Sequence, residues 1–205
     1  MNDKTVLERQ GLVMVIGVPG AGKTTLARYL CTNIADSSYV SKDMFQSSFG
    51  QEGIETDTYE YVREPTVRFF LAYSAAQLEL GKTPIIDATY TINKWRDQNM
   101  PQGDRYVDFA SHYRDVAQKR GTDLIILKCL PPSAEELRQR FVRRNSPRDR
   151  WKLDNWDEFL RREPLDDVIH HEHVLRIIVD GPIQDLAQEA ISYISGILVS
   201  RGLQA

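Results

Sequence analysis

The sequence predicts an α/β domain with a parallel sheet and helices on both of its faces. Two observations predict it. Five short apolar runs alternate with stretches of helical periodicity along the 205 residues, the pattern of strands joined by crossover helices. The run Gly17-Val18-Pro19-Gly20-Ala21-Gly22-Lys23-Thr24-Thr25 satisfies G-x-x-x-x-G-K-[ST], and it falls between an apolar run and an amphipathic stretch.

The elements follow in order. Residues 12–16, Leu12-Val13-Met14-Val15-Ile16, form the continuous apolar run of a strand buried on both faces. Leu26, Ala27, Leu30 and Ile34 then recur at helical spacing and set a helix over 23–35. A weaker strand at 38–41 ends at Lys42-Asp43, and a helix over 58–81 follows, with Phe70, Ala76 and Leu80 assigned to the core. The third strand, 84–87, ends in the carboxylate of Asp87. A helix over 104–120 leads to the fourth strand, 123–130, which Pro131-Pro132 stops. Ser133 as N-cap and Glu136 as capping-box partner open a helix over 133–144. The fifth strand, 174–180, stops at Gly181-Pro182, and a helix over 183–200 closes the order. No repeat, low-complexity tract or linker divides the chain, so residues 1–205 read as one domain.

Composition narrows the class. Hydrophobic residues make up 41% and charged residues 27%, the balance of a soluble globular protein. No apolar run approaches the ~20 residues that span a bilayer. Met1-Asn2-Asp3-Lys4-Thr5 lacks the apolar core of a signal peptide. Cys31 and Cys129 stand far apart without metal-type spacing and read as buried thiols in a reducing cytoplasm. A formal net charge of −3 argues against coating nucleic acid non-specifically.

The glycine-rich run carries the chemistry. Its glycines let the backbone turn so that several N–H groups converge on phosphate oxygens, and it opens a helix whose positive dipole end faces the same anion. Gly17, Pro19, Gly20, Ala21, Gly22, Lys23, Thr24 and Thr25 are therefore expected to bind a nucleoside triphosphate. Lys23 supplies a mobile positive charge for the outer phosphates, and the Thr24 hydroxyl is placed to ligate Mg²⁺.

Ligands of such sheets sit outside the carboxyl ends of the strands, so polar residues there are the first candidates. Asp43 suits acceptance of a proton from a hydroxyl attacking the γ-phosphate, as well as a helix cap. Asp87 suits the water shell of the metal. Asp180 reads as a cap or loop hydrogen bond. The fourth strand ends without an acid, which counts against a motor or translocase. His170-His171-Glu172-His173 lie at consecutive positions and read as a solvated loop rather than a metal centre. From Arg138 to Lys152 the chain carries Arg138, Arg140, Arg143, Arg144, Arg148, Arg150 and Lys152 against the single acid Asp149. Lying between the fourth and fifth strands, this segment reads as a mobile lid over the triphosphate, spanning approximately residues 144–163. Trp151, Trp156 and Phe159 then anchor the lid helix rather than stack on a base.

Taken together these pieces resemble the P-loop kinases related to polynucleotide 5′-hydroxyl kinase. That group also includes zeta-toxin-like and antibiotic or small-molecule phosphotransferases. The phosphate loop, Ser41-Lys42-Asp43-Met44-Phe45 and Pro84-Ile85-Ile86-Asp87-Ala88-Thr89 carry the likeness over roughly residues 12–181. The run Arg143-Arg144-Asn145-Ser146-Pro147-Arg148 is similar to the family's lid. The resemblance implies a P-loop NTPase fold with a five-stranded sheet of order 2-3-1-4-5. It also implies ATP and Mg²⁺ as cofactors, Asp43 as general base, and Arg144 and Arg148 as lid cations. Nucleic-acid kinases of this type carry an arginine three residues after the base; here Gln46 stands there, and Tyr90 replaces the family's asparagine. The loss of a phosphate-clamping arginine counts against a polynucleotide acceptor. The stretch 47–81 mixes acids with aromatics, with Arg63 and Arg68 its only arginines. The expectation is therefore a kinase acting on the hydroxyl of a sugar, polyol, nucleoside or antibiotic, with Gln46, Asp43 and Asp87 on the substrate side. A polynucleotide 5′-hydroxyl kinase and a nucleotide-dependent regulatory NTPase are the alternatives.

Overall fold

A computed structural model describes residues 4–47, 57–89, 109–165 and 168–199, with only the backbone of Gln46, residues 57–64 and Phe109. Five strands, β1 (Leu12–Ile16), β2 (Ser37–Ser41), β3 (Thr83–Asp87), β4 (Leu124–Leu130) and β5 (Val174–Ile178), form a parallel sheet of order β2-β3-β1-β4-β5. This is the order the resemblance implied. β1 lies at the centre, with Val13 opposite Ile85 and Ile125, and Val15 opposite Asp87 and Leu127. Its five residues are all buried, which is why its apolar run has no alternation.

The helices among the described residues are α1 (Lys23–Asn33), α2 (Lys42–Ser47), α3 (Asp57–Glu79), α4 (Phe109–Gln118), α5 (Ala134–Arg144), α6 (Arg150–Asp154), α7 (Trp156–Arg162) and α8 (Ile183–Ile197). Alternation along the strands splits the core in two. Val13, Val15, Ile85, Ile125 and Leu127 pack with Leu26, Leu30, Ala190 and Ile194 of α1 and α8. Leu12, Met14, Ile16, Ile86 and Ile126 pack on the opposite face with Phe70, Leu78, Ala110 and Tyr113 of α3 and α4. No helix of the described residues is long and apolar enough to cross a membrane.

The boundaries differ from expectation by one or two residues at most ends. The start expected at 104 for the helix before β4 lies outside the described residues. The inward stripe of α3 is corrected. Phe70 is buried as expected, but Ala76 is exposed and Leu80 is 68% exposed. Thr66, Ser74 and Leu78 are buried instead. Ser74 enters the core because its hydroxyl donates to the Phe70 carbonyl at 2.7 Å, which removes the cost of burying a free polar group. Of the two thiols, Cys129 is buried and Cys31 only half-buried. Burial pushes the Cys129 thiol up to about 12, so it stays protonated beside Lys23.

Candidate active site

The phosphate loop joins the end of β1 to α1. Gly17 takes a φ of 142° and Gly20 a φ of 80°, backbone settings that L-side chains rarely adopt. Space forbids a side chain at either position as well. A Cβ on Gly17 would collide with the Cys129 carbonyl on β4, and one on Gly20 would come within 2.6 Å of the Phe141 ring. α1 begins from Gly22 with no side-chain cap and no acid in its first turn. Its leading N–H groups and dipole are thus offered to an anion rather than satisfied by the protein's own carboxylates. The buried Lys23 ammonium donates to the Val18 carbonyl at 2.9 Å, which holds a positive charge inside the loop. These features fit the polyphosphate of a nucleotide.

Asp87 lies at the end of β3, directly beside the loop. Its Oδ2 accepts from the Thr24 hydroxyl at 2.6 Å and from the Tyr39 hydroxyl at 3.1 Å. The carboxylate is buried, whereas Thr24 is exposed at the loop. A hydroxyl whose proton goes to a carboxylate presents its lone pairs outward, and a hydroxyl oxygen beside a carboxylate is the donor set of a hard divalent cation. Thr24 and Asp87 therefore fit Mg²⁺. Burial and the negative charge of Asp87 hold the Tyr39 phenol above its ordinary range, so Tyr39 is a neutral donor to the carboxylate.

Asp43 sits in the first turn of α2 and is exposed. Ser41, two residues earlier, pairs with Asp87 across β2 and β3, so both aspartates lie at the same carboxyl edge of the sheet. Beyond Asp43, Phe45 stacks on Phe69 with ring centroids 4.3 Å apart, and Phe69 stacks in turn on Tyr73. The side chain of Gln46 and the residue Tyr90 lie outside what is described.

The basic run resolves into separate roles. Ser133 caps α5 by accepting from the Glu136 N–H at 3.0 Å. The reciprocal half of the expected capping box is replaced, because the Glu136 carboxylate accepts from Arg140 at 3.1 Å and Arg143 at 2.5 Å. Those two guanidinium groups hold the Glu136 carboxyl below its usual range. Arg140 also donates to the Val179 carbonyl at 2.6 Å, tying α5 to the end of β5. α5 stops at Asn145, which adopts the left-handed conformation at φ 46°. A 3₁₀ turn, Pro147–Asp149, then leads to α6.

Asp149 is 0% exposed and accepts from Arg144 at 2.6 Å on Oδ2 and from Lys152 at 2.8 Å on Oδ1. Two of the supposed lid cations are therefore spent on one buried acid. Arg148 is exposed, and its carbonyl accepts from Lys152 at 2.8 Å. Trp156 and Phe159 pack edge-on against Phe141, whereas Trp151 is partly exposed with Arg162 over its ring at 5.1 Å. The anchoring role expected of these aromatics thus falls to Trp156 and Phe159. Asp149→Asn is expected to destabilise the fold by about 2 kcal/mol, since Arg144 is half in solvent and keeps part of its hydration. A thermal melt should register this as a drop of roughly 4–8 °C; an unchanged midpoint would show that the triad carries no stability.

His170, His171 and His173 line a cavity of about 590 Å³ with Arg114, Asp123 and Leu124. It opens at the start of β4, at the opposite end of the strands from the phosphate loop, and is no part of the candidate site. His171 Nε2 donates to the Leu124 carbonyl at 2.8 Å while Nδ1 lies 3.2 Å from Arg114, so the ring carries its proton on Nε2. Among the described residues no group of three or more His, Cys, Asp or Glu is arranged to hold a metal ion.

Two site residues escape the sequence. Tyr39 reads as an ordinary aromatic in a weak strand, and nothing local says that it reaches Asp87. Asp149 reads as a lone acid in a basic run. That exception was the available signal, because a single carboxylate among seven cations is the one they can share.

A family model described as an AAA domain matches residues 12–165. No protein of curated function matches the chain by sequence. Among solved structures, a Chloroflexus aurantiacus J-10-fl protein with a provisional kinase designation overlays with a TM-score of 0.66 at 16% identity, covering 91% of this chain and 99% of that one. A sugar kinase from Janibacter sp. HTCC2649 gives 0.59 at 18% identity, over 93% and 99%. The shikimate kinase of Acinetobacter baumannii, in complex with shikimate, gives 0.54 at 18% identity, over 94% and 97%. At such identities the likeness is one of fold, and that fold is a P-loop kinase-like one.

Proposed function

This chain belongs to the AAA domain family, and we propose that it is an ATP- and Mg²⁺-dependent kinase that moves the γ-phosphoryl group to a hydroxyl of a small molecule. One observation carries the reading: the Thr24 hydroxyl is held on Asp87 at 2.6 Å beside a glycine cradle containing Lys23. Backbone N–H groups of residues 20–24 and the Lys23 ammonium hold the phosphates, while Thr24 and Asp87 hold the metal. Bound Mg²⁺ neutralises charge on the outer phosphate oxygens. Asp43, exposed at the same sheet edge as Asp87, accepts the proton of the attacking hydroxyl. Arg148 closes over the transferring group as an exposed cation of the lid; Arg144 joins it only by releasing Asp149.

The small-molecule acceptor is supported by the Gln46 substitution and by the apolar stack of Phe45 and Phe69 beyond Asp43. A sugar kinase and a shikimate kinase share the fold. The test is ADP release from ATP in the presence of a panel of sugars, polyols, nucleosides and antibiotics, with 5′-hydroxyl oligonucleotides alongside. Stimulation by a small hydroxyl compound, little affected by salt, is the expected result. Stimulation only by an oligonucleotide, with affinity falling steeply as salt rises, would reassign the acceptor to a polynucleotide end. Slow hydrolysis indifferent to every acceptor would point to a regulatory NTPase instead.

A further inference from the structure

We infer that Tyr39 is the positioning residue of the metal site, holding the Asp87 carboxylate from the sheet side so that Thr24 is aimed at Mg²⁺. The inference rests on the kinase reading above and adds to it a residue outside the phosphate loop. Tyr39 stands on β2 opposite Ile85, and its side chain reaches the residue two positions further along β3. Its hydroxyl donates to Asp87 Oδ2 at 3.1 Å, the same oxygen that accepts from Thr24 at 2.6 Å. The phenol is itself held. Arg28, one turn after Thr24 on α1, lies over the ring at 5.9 Å.

The physical need follows from where each partner sits. Thr24 belongs to the exposed mouth of the loop, and a carboxylate held by that hydroxyl alone would turn with it. A second donor rooted in a different strand fixes the carboxylate independently of the loop. With both hydrogen bonds on Oδ2, Oδ1 is left to accept from water in the metal's shell. Groups that orient a metal's ligands in this way are worth about 10–100-fold in metal affinity.

The test is Tyr39→Phe, which keeps the ring and removes only the hydroxyl. Binding of the fluorescent analogue N-methylanthraniloyl-ATP is followed while Mg²⁺ is titrated, a readout that requires no acceptor. The variant is expected to raise the Mg²⁺ half-saturation about tenfold, with Mg²⁺-free nucleotide binding and the melting midpoint unchanged. In an Asp87→Asn background the same substitution should add nothing, because the two act on one group. An unchanged half-saturation in Tyr39→Phe, or a full additional loss in the double variant, overturns the inference and leaves the kinase reading intact. If the wild-type protein shows no Mg²⁺-assisted nucleotide binding at all, both fall together.

Discussion

Lys23→Ala is expected to reduce phosphoryl transfer by about a thousandfold or more, the usual scale for losing a preorganised cation at a transferring phosphoryl group. The ammonium is buried and bound to the Val18 carbonyl, so its charge acts where water screens it little. Alanine returns no charge, and the phosphates would then rely on backbone N–H groups alone. The fold should survive, because the glycines that shape the loop are untouched and the core beneath it is formed by β1 and α1. The check is twofold. ADP release should be lost, and the melting midpoint without nucleotide should stay near that of the wild type while its rise on adding Mg²⁺-ATP disappears. Retention of both transfer and nucleotide stabilisation would remove Lys23 from the phosphate site.

Asp43→Asn is expected to separate chemistry from binding. A general base contributes about 10²–10⁴-fold, and the amide cannot accept a proton at neutral pH, so kcat should fall on that scale. Asp43 is exposed and lies on α2, away from Lys23 and Thr24 in the chain, so Mg²⁺-ATP should still bind as before. Stability should change little, since substitution of an exposed polar residue disturbs no packing. Lys23→Ala loses binding and catalysis together; Asp43→Asn should lose catalysis alone. Full turnover in Asp43→Asn would assign the base to another residue.

How much of this was legible in the sequence depends on the range over which each feature is encoded. The phosphate loop is local: nine consecutive residues specify their own turn and the helix that follows, and their glycines are explained by collisions at Cys129 and Phe141. The carboxylate at the end of β3 was legible for a similar reason, because an apolar strand that stops at an acid marks an edge. The α3 stripe was not. Hydrophobicity points Phe70, Ala76 and Leu80 inward, yet burial follows Thr66, Phe70, Ser74 and Leu78, two of them polar residues that hydrophobicity ranks as outward. The Tyr39 contact depends on β2 lying beside β3, which no property of residues 37–41 encodes. The basic run is legible in place, but not in how many of its cations stay available. Asp149 draws in Arg144 and Lys152 where the chain turns from α5 through the 3₁₀ segment into α6, Glu136 takes Arg140 and Arg143 within α5 itself, and together the two acids remove four of the seven cations from service.

The contact between Phe141 and Gly20 ties two parts that a diagram of the chain would draw apart. Phe141 is wedged under Trp156 and Phe159, and its ring leaves no room above the cradle for even a methyl group. Any side chain at position 20 would have to displace that ring, and close-packed interiors hand such displacements onward rather than absorb them. The seat of Phe141 on α5 and the polyanion pocket are in this sense one gear train: turning either wheel turns the other.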